Sequence, residues 1–408
     1  MKIAMTVSND VINDVRVIRE AETLLEAGYE VYIFGNSYSG ESLKSGNIKI
    51  INSKFSFIKK LIYNLKAKFG KSNILNQNNS VTINNKSSLK KKIKEYIKGI
   101  VLISIIEITQ LQIIKKIKKV KIQFDYIHCH DLDTLKVGIM AKKSLGVKVV
   151  YDSHELWTEM SGINYYVKKK YSRDEERFIN EANHIITVSP SIAKELKSRY
   201  KLQIPTTLIR NIPSYDIIND VKMPDDKEIK LIYVGYYIEG RGIEELLKAA
   251  LEFPSNTKLS LRVQNNVEVL KKLKMKVNML GLNDKVEVCG FVHQNQVINE
   301  ISKYDIGILP YLPVSLNNLY CLPNKLFQYF SAGVCVVSNN LPDVKEIINK
   351  YECGLTYGKS HSIVDTIKYL SKNPKQLYMY KMNSLKAIQN NLNWNIEKHK
   401  IIVLYRSL

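Results

Sequence analysis

Short apolar segments alternate with amphipathic helical segments along most of this chain, and this alternation constrains the fold more than any other feature. Residues 2–7 predict a strand, residues 14–27 a helix that Gly28 ends, and residues 29–34 a second strand. A strand, a helix and another buried strand in succession form a βαβ unit, whose two strands are parallel. The pattern therefore predicts an α/β fold built on parallel sheets.

The alternation occurs in two blocks of similar size. The first block predicts further strands at residues 125–129, 147–151 and 185–188. After an irregular, proline-containing stretch, 205–230, the second block predicts strands at residues 231–234, 259–263, 286–289, 306–309 and 334–338. The tail is helical from about Pro374 and carries Trp394. Because tandem sheets of this kind direct the carboxyl ends of their strands at a ligand, we expect a binding cleft between the two domains.

The predicted domains are an N-terminal domain with a basic insertion, a C-terminal domain and a terminal helix, at residues 1–205 (insertion 54–121), 206–385 and 386–408. No uninterrupted run of about 18 apolar residues occurs, since Glu107 and neighbouring polar residues break the stretch 100–114, so an integral membrane protein is not expected. The first ten residues do not resemble a signal peptide. Five scattered cysteines without a CxxC pair favour reduced thiols in a cytosolic protein.

The formal net charge of +22 is concentrated in the insertion. Residues 54–121 contain 17 lysines, no arginine and two acids, Glu95 and Glu107, which leaves 17 − 2 = +15. A local excess of this size needs solvation or a polyanionic neighbour. A solvated lysine-rich surface and an anionic membrane surface remain equal alternatives. Nucleic acid is not expected, because arginine is absent and aromatic residues are few.

Several familiar motifs are absent or incomplete. No GxGxxG follows the first strand, and residues 354–360 have the wrong spacing for a phosphate-binding loop, which favours a turn there. The segment from His128 to Asp133 groups two histidines that share a face of a strand. Their spacing is compatible with a metal site, but their place at the carboxyl end of the strand favours a catalytic role for His130 and Asp131.

Five stretches, in this order along the chain, resemble the retaining GT-B glycosyltransferases of family 4: residues 14–31, 127–132, 151–156, 234–247 and 322–333. The resemblance implies two Rossmann-like domains and a nucleotide-sugar donor bound mainly by the second. It implies transfer with retention of anomeric configuration, without a cofactor or an obligatory metal. It also implies that the last helix returns to the first domain, where Trp394 is either an anchor or an ordinary core residue.

Two cations are expected to bind the donor diphosphate. Arg241, between Gly240 and Gly242, and Lys325 each lie at the start of a helix that follows a strand. Side-chain charge and helix N-terminus would then act together on a leaving pyrophosphate. The resemblance adds the other donor-side residues: Gly235, Tyr236, Gly290, Phe291, Val292, Tyr320, Asn324 and Gln328.

The first domain supplies the remaining candidates. The resemblance places His130 at the sugar and the reacting centre, next to Asp131. Ser8, Asn9 and Asp10 end the first predicted strand and are expected to meet the acceptor. The resembling stretches add four further acceptor-side residues: Asp14, Arg16, His154 and Glu155.

The chain departs from the family pattern at three donor-side positions. Tyr320 and Gln328 stand where the family has two glutamates eight positions apart, and Tyr236 stands where it often has arginine. A glutamine accepts through one oxygen only, although it also donates. These departures keep a catalytically silent scaffold open beside an active enzyme.

The prediction is a hexosyltransferase that moves a sugar from UDP-sugar to a hydroxyl of a lipid-linked or surface-polysaccharide acceptor. It would work in the cytoplasm, peripherally on the inner face of the plasma membrane, held by the lysine-rich insertion. A protein hydroxyl as acceptor, a silent scaffold, and a homo- or hetero-oligomer are the alternatives that the sequence leaves open.

Overall fold

The structure is a computed structural model that describes residues 1–11, 14–37, 43–45, 48–54, 85–213 and 216–408. Most of the predicted insertion, 55–84, lies outside the described residues. The described residues divide into two units. Unit 1 comprises Met1–Thr187, Ala193–Ile209 and Lys400–Leu408, and unit 2 comprises Val188–Ile192 and Arg210–His399. Compared with the predicted boundaries, residues 206–209 group with unit 1 and residues 386–399, including the buried Trp394, with unit 2.

In the described residues, unit 1 contains a sheet of eight strands: β1 (Lys2–Asp10), β2 (Glu30–Ser37), β3 (Leu43–Ser45), β4 (Ile48–Lys54), β5 (Tyr126–His130), β6 (Lys148–Ser153), β7 (His184–Thr187) and β8 (Thr206–Leu208). The pair β3 and β4 is antiparallel, and the other neighbouring pairs of these described strands are parallel. Its helices are α1 (Val15–Glu26), α2 (Asn85–Lys119), α3 (Leu132–Leu145), α4 (Tyr165–Phe178) and most of α5 (Pro190–Tyr200).

Unit 2 contains a parallel sheet of six strands: β9 (Ile229–Val234), β10 (Thr257–Val263), β11 (Val286–Gly290), β12 (Ile306–Leu309), β13 (Cys335–Asn339) and β14 (Gly354–Tyr357). Its helices are α6 (Ile243–Ala250), α7 (Val267–Met279), α8 (Val297–Ile301), α9 (Leu316–Leu319), α10 (Asn324–Ser331), α11 (Pro342–Tyr351), α12 (Ile363–Lys372), α13 (Pro374–Asn390) and the start of α14 (Trp394–Ser407).

The central strands of unit 2 are largely apolar because both faces of the sheet are buried there. In β9, Ile232 and Val234 belong to one buried cluster, and Leu231 and Tyr233 to the other. Successive side chains of a strand point to opposite faces, so a strand buried on both sides is apolar at most positions. The predicted α/β class with two Rossmann-like domains is confirmed.

Strand order determines where each unit can bind a ligand. In unit 1 the order is β3-β4-β2-β1-β5-β6-β7-β8, and in unit 2 it is β11-β10-β9-β12-β13-β14. In unit 1, β2 lies on one side of β1 and β5 on the other, and in unit 2, β10 lies on one side of β9 and β12 on the other. The order of strands in each sheet therefore reverses at one point, between β1 and β5 or between β9 and β12, here called the reversal point. Loops leave such a point toward opposite faces of the sheet, which opens a crevice at the carboxyl ends of the strands.

Helix α2 is the largest departure from the sequence prediction. Its segment Lys92–Lys119 is long and apolar enough to cross a membrane by length and composition alone, and about a third of its apolar stretch is buried in the protein. The sequence has no uninterrupted apolar run there, but a few isolated polar residues lower the average hydropathy of the helix only a little. The C-terminal half of α2 packs on unit 1 through Ile105, Ile113 and Ile117.

Smaller differences concern element ends. Strand β1 continues through Ser8 and Asn9 to Asp10, with an irregularity in its pairing to β2 after Thr6. Residues 354–357, for which the sequence favoured a turn, form the edge strand β14. Strands β3 and β4 were not predicted.

A buried ion pair joins the last long helix of unit 2 to its sheet. Lys381 of α13, 4% exposed, donates to Asp305 at 2.7 Å, and the other oxygen of Asp305 accepts from the backbone of Lys230 at 3.0 Å. We predict that Lys381→Met lowers the free energy of unfolding by about 3 kcal/mol, because it leaves a buried carboxylate without its cation. Urea denaturation measures the loss. The matched Lys375→Met, on the exposed side of α13, should change little, and equal losses in the two variants would contradict this role of the ion pair.

Candidate functional site

A polar pocket opens in unit 1 at the reversal point between β1 and β5. Its volume is about 140 Å³. It is lined by Val7, Ser8, Asn9, Asp14, His130, Asp131, Asp133 and Trp157. Of the predicted residues, the structure therefore brings together His130, Asp131, Ser8, Asn9 and Asp14.

His130 is held in place by its neighbours in and beside the sheet. It ends β5, pairs in register with Asp152 of β6, and stacks on His128 with ring centroids 4.3 Å apart. Its Nδ1 atom lies 3.2 Å from Nε2 of His154 and 3.5 Å from Asp152. Among the described residues its Nε2 atom has no hydrogen-bond partner. Nε2 of His130 is therefore a buried polar atom without a protein partner, in a residue that lines the pocket.

His154 lies between two carboxylates. Its Nε2 is 2.8 Å from Asp152, and its Nδ1 is 3.3 Å from Asp131. Because carboxylate oxygens accept, both ring nitrogens must donate, and the ring is an imidazolium. Burial would lower the pKa of His154, but Asp131 and Asp152 raise it well above its usual range.

His130 is neutral, in contrast to His154. Burial and the neighbouring His128 lower the pKa of His130 to about 3, so it is uncharged at physiological pH. The hydrogen on Nε2 of His154 is directed at Asp152, 2.8 Å away, and Nδ1 of His130 lies near both groups. A neutral imidazole carries one hydrogen, so His130 offers one donor and one acceptor nitrogen.

Asp152 anchors this arrangement from beneath the pocket. It is fully buried and binds Arg16 through both oxygens, at 2.9 and 3.1 Å. Burial would raise the pKa of Asp152, yet Arg16 and His154 hold it well below its usual range. Arg16, 3% exposed, also donates to the carbonyl of Ile209. The sequence placed Arg16 on the acceptor side, whereas the structure places it behind the pocket as a support for Asp152.

The same cluster contains four groups with the chemistry of metal ligands. Atoms of Glu20, His128, His130 and Asp152 lie within 4.8 Å of one another. However, the Arg16 guanidinium already contacts both carboxylates, at 3.0 Å from Glu20 and 2.9 Å from Asp152. A divalent cation would have to compete with this buried positive charge for the same oxygens. The geometry therefore favours an ion-pair network over a metal centre.

Asp131 reaches His154 through an unusual backbone conformation. It precedes helix α3 with φ of 62° and ψ of 165°, a region that residues other than glycine rarely adopt. Its backbone donates to the carbonyl of Asp152, and its side chain accepts from the backbone of His154. These bonds hold the carboxylate against His154 at the edge of the pocket.

The remaining acceptor-side residues have different surroundings. Asp14 caps helix α1 by accepting from Val17, and it also accepts from Asn9 at 2.9 Å. Glu155 is exposed and does not line the pocket, and the side chain of Asp10 lies outside the described residues. Three lining residues, Val7, Asp133 and Trp157, were missed by the sequence argument. Asp133 could have been found from its place in the first turn of α3, while nothing local marked Trp157.

The proton on His154 gives a prediction about stability. A histidine whose pKa is raised by folding stabilises the protein fully below its ordinary pKa of about 6.5, and this contribution disappears as the pH rises through the raised value. We predict that His154→Gln lowers the free energy of unfolding by about 3 kcal/mol at acidic pH, with a smaller loss at alkaline pH. Burial lowers the pKa of His184, so His184→Gln should show the opposite trend in urea denaturation. A loss that does not depend on pH would contradict the imidazolium.

In unit 2, the reversal point between β9 and β12 carries the predicted phosphate loop. Gly240 and Gly242 have φ of +80° and +69°, and a Cβ atom on Gly242 would lie 1.8 Å from the carbonyl oxygen of Pro310. Glycine is therefore required for the loop to turn into α6 against the end of β12. The guanidinium of Arg241 lies 4.3 Å from the ring centre of the buried Tyr311, which orients it.

Lys325 lies beside Arg241 at the start of α10. No side chain caps this helix, and its first turn carries no acid. Burial and the charge of Arg241 lower the pKa of Lys325. Within the described ranges, neither cation forms an ion pair with a carboxylate. Arg241 precedes α6 and Lys325 lies in the first turn of α10, so two interacting cations and two helix N-termini can bind a polyanion.

Other donor-side residues lie at the carboxyl ends of β9 and β11. Tyr236 is 56% exposed, and its ring meets that of Phe291 edge to face at 5.4 Å. Arg262 and Asn265 donate to the carbonyls of Gly290 and Phe291, which shapes the chain just before Val292. Gly235 follows β9 under the hydroxyl of Tyr233, since a Cβ atom there would lie 2.4 Å from it.

The two positions where the family has glutamates are occupied differently. Gln328 is buried in α10 at 6% exposure, and Asn324 begins the same helix in an exposed position. Tyr320 is half-buried, and its carbonyl accepts from the hydroxyl of Ser189 at 2.7 Å. Neither position offers a carboxylate to a ligand.

Comparison with known proteins supports this division of the chain. A family model for glycosyl transferases group 1 matches residues 215–387, and a model for glycosyltransferase family 4 matches residues 104–212. Together the two models match more than half of the chain, which belongs to the group 1 glycosyltransferases. The family match thus includes His130, Asp131 and His154 in one model and Arg241 and Lys325 in the other.

Individual members of the family are distant in sequence. The Bacillus subtilis protein TuaH, named as a teichuronic acid biosynthesis glycosyltransferase, is 25% identical over 269 residues, which is 61% of this chain and 64% of TuaH. The curated relatives are thus matched over 60% and 64% of their lengths. Sucrose-phosphate synthase from Thermosynechococcus elongatus has a TM-score of 0.74 at 15% identity, with coverage of 100% of this chain and 98% of the other. Anabaena HepE, solved in complex with UDP, has a TM-score of 0.67 at 12% identity and full coverage of both chains.

Proposed function

We propose that this chain is a retaining hexosyltransferase that transfers a sugar from UDP-sugar to a hydroxyl of a lipid-linked or surface-polysaccharide acceptor. The observation that carries the proposal is the pair Arg241 and Lys325, two interacting cations near the N-termini of α6 and α10. A leaving nucleoside diphosphate carries about two negative charges, and its departure is accelerated by fixed cations and backbone N–H groups. The burial that lowers the pKa of Lys325 would be offset once the diphosphate is bound.

Uridine is the proposed base because the similar HepE structure contains UDP. The backbone at Val292 follows two carbonyls that side chains already hold, so it is the proposed contact for the base. Gln328 and Tyr320 replace two carboxylates, so ribose recognition would depend on amide and backbone groups.

The pocket of unit 1 is the proposed site of the transferring sugar and the acceptor. His130 would donate from Nε2 to an oxygen of the sugar or of the leaving phosphate as negative charge develops there. His154 and Asp152 keep that donor in place. We propose that no metal is required, because the cations of the chain itself face the diphosphate.

The acceptor class rests on a relative and on charge. TuaH is named as a teichuronic acid biosynthesis glycosyltransferase, which favours a glycan acceptor. The lysine-rich insertion favours an anionic membrane, where each lysine near the headgroups adds about 1 kcal/mol of attraction. We therefore place the enzyme in the cytoplasm, peripherally on the inner face of the plasma membrane. A protein hydroxyl remains the second acceptor class.

A catalytically silent scaffold is the alternative that Tyr320 and Gln328 favour. Release of UDP from UDP-glucose by the purified chain, with water as the acceptor and EDTA present, distinguishes the two functions. An active wild type in EDTA supports a metal-independent enzyme. A chain that binds UDP but never cleaves the donor is the scaffold, and activity that needs an added metal contradicts the proposed independence from metals.

The donor site gives a binding prediction. We predict that Arg241→Met and Lys325→Met each weaken UDP binding about 10- to 100-fold, because each removes one charged contact to the diphosphate. Isothermal titration calorimetry measures the dissociation constants. Lys271→Met, an exposed charge on α7, is the matched control and should bind as the wild type does. Equal affinity of the wild type and the three variants for UDP would contradict the assignment of Arg241 and Lys325 to the donor site.

The pocket gives a prediction about rate. His130→Gln retains a donor near the position of Nε2, whereas His130→Glu offers only acceptors when ionised. We predict that UDP release falls about 100- to 1,000-fold in His130→Glu and considerably less in His130→Gln, with UDP affinity unchanged in both. The reverse order of the two variants would indicate that His130 acts as a base.

A further inference from the structure

The N-terminal half of α2 presents an apolar stripe to solvent. Ile93, Tyr96, Ile97 and Ile100 are 49%, 48%, 56% and 44% exposed. Their spacing of three and four residues places them on one side of the helix. A soluble surface rarely leaves four large apolar side chains together without a partner.

Aromatic rings extend this stripe onto helix α4. A Cβ atom on Gly99 would lie 2.7 Å from Asn164 and 2.8 Å from Tyr166, so the two helices approach closely there. The ring of Tyr166 lies 5.0 Å from Tyr96 and 5.2 Å from Tyr165, whose side chain is 66% exposed. Tyrosines with an apolar ring and a polar tip are enriched at the boundary between headgroups and acyl chains.

Cations border the apolar surface. A groove of about 460 Å³ between α2 and α4 has Ile100, Ile103 and Tyr166 on its apolar side. Lys169 and Arg173, both exposed and four residues apart on α4, line its rim. Within the described part of the chain neither forms an ion pair, whereas the adjacent Lys170 is paired with Asp174. The exposed Lys92 and Lys94 add charge along α2, whereas Lys98 is paired with Glu95.

We propose that this surface, formed by residues 92–103 of α2 and 165–173 of α4 and here called the α2–α4 face, inserts into the boundary between headgroups and acyl chains of an anionic bilayer. The apolar stripe would enter the acyl boundary while Lys169 and Arg173 bind lipid phosphates. This deepens the proposed membrane site of the transferase, because it adds apolar insertion to electrostatic attraction and identifies the side chains involved. Vesicle binding tests it without any donor or acceptor.

The helix lies along the membrane rather than across it. Gln110 donates to the backbone of Asp133 at 2.7 Å, and Ile113, Ile114 and Ile117 are buried in unit 1. A span over 92–119 would have to break these contacts and leave Glu107 in the hydrocarbon core.

The apolar part is tested by flotation of the full chain with vesicles of phosphatidylglycerol and phosphatidylcholine in a ratio of about 3:7. Ile97→Glu should lower the partition coefficient at least about tenfold, because it places a charge where an apolar side chain inserts. Val403→Glu is the matched control, since Val403 is a similarly exposed helical residue of unit 1, at 49%. Equal losses in both variants, or none in Ile97→Glu, would overturn the insertion.

The cationic part is tested on the same vesicles. Lys169→Gln/Arg173→Gln should lower binding about 30-fold, from about fivefold for each charge near the surface. Lys368→Gln/Lys372→Gln in unit 2 removes the same charge at the same spacing and should leave binding unchanged. If both double variants lose binding equally, only the net charge matters and the assignment to the α2–α4 face is wrong.

Two further measurements make the outcomes distinct. Extraction of membranes with alkaline carbonate should release the protein, and retention in the pellet would overturn the face in favour of a spanning helix. UDP affinity should be the same in every variant, which shows that unit 2 is folded. If the wild type binds vesicles as predicted but does not bind UDP, the α2–α4 face is supported as a membrane-binding surface and the proposed donor site is contradicted.

Discussion

The buried carboxylate of Asp152 is the interaction on which the pocket of unit 1 depends. A carboxylate without solvent is stable only when cations and donors surround it, and Arg16 and His154 provide them. Once His154 is charged, its second nitrogen must find another acceptor, which Asp131 supplies from the start of α3. Arg16, Asp152, His154 and Asp131 thus form one charge network beside the neutral His130 at the edge of the pocket.

In unit 1 a buried charge is surrounded by groups of opposite charge, whereas in unit 2 two charges of the same sign interact. Arg241 and Lys325 are adjacent cations, and the nearby aromatic Tyr311 orients one of them without neutralising it. Such an arrangement is unfavourable until an anion enters, so the unit holds electrostatic energy that ligand binding can use. The strand order brings the two cations together, because the loops after β9 and β12 leave the sheet at its reversal point.

Most of the fold was predictable because its signals are local. Apolar strands buried on both faces, helices with one apolar side, and glycines at helix ends all repeat within a few residues. The cluster around His130 was predictable for the same reason, since parallel strands end at one edge of a sheet. Helix α2 was not, because its polar residues hid a continuous helix whose one half packs on unit 1 while the other remains exposed. The burial of Arg16 was also missed, because its partner Asp152 lies far along the chain.

The sequence by itself determined the α/β class, the two blocks of strands, and the presence of histidines and cations at strand and helix ends, because each depends on residues close together in the chain. Only the tertiary structure decided that Arg16 supports the pocket instead of lining it, that His154 is charged while His130 is neutral, and which side of α2 faces solvent. These properties depend on burial and on contacts between distant segments. The free energy of a charge is set by its surroundings in space, which the order of residues does not display.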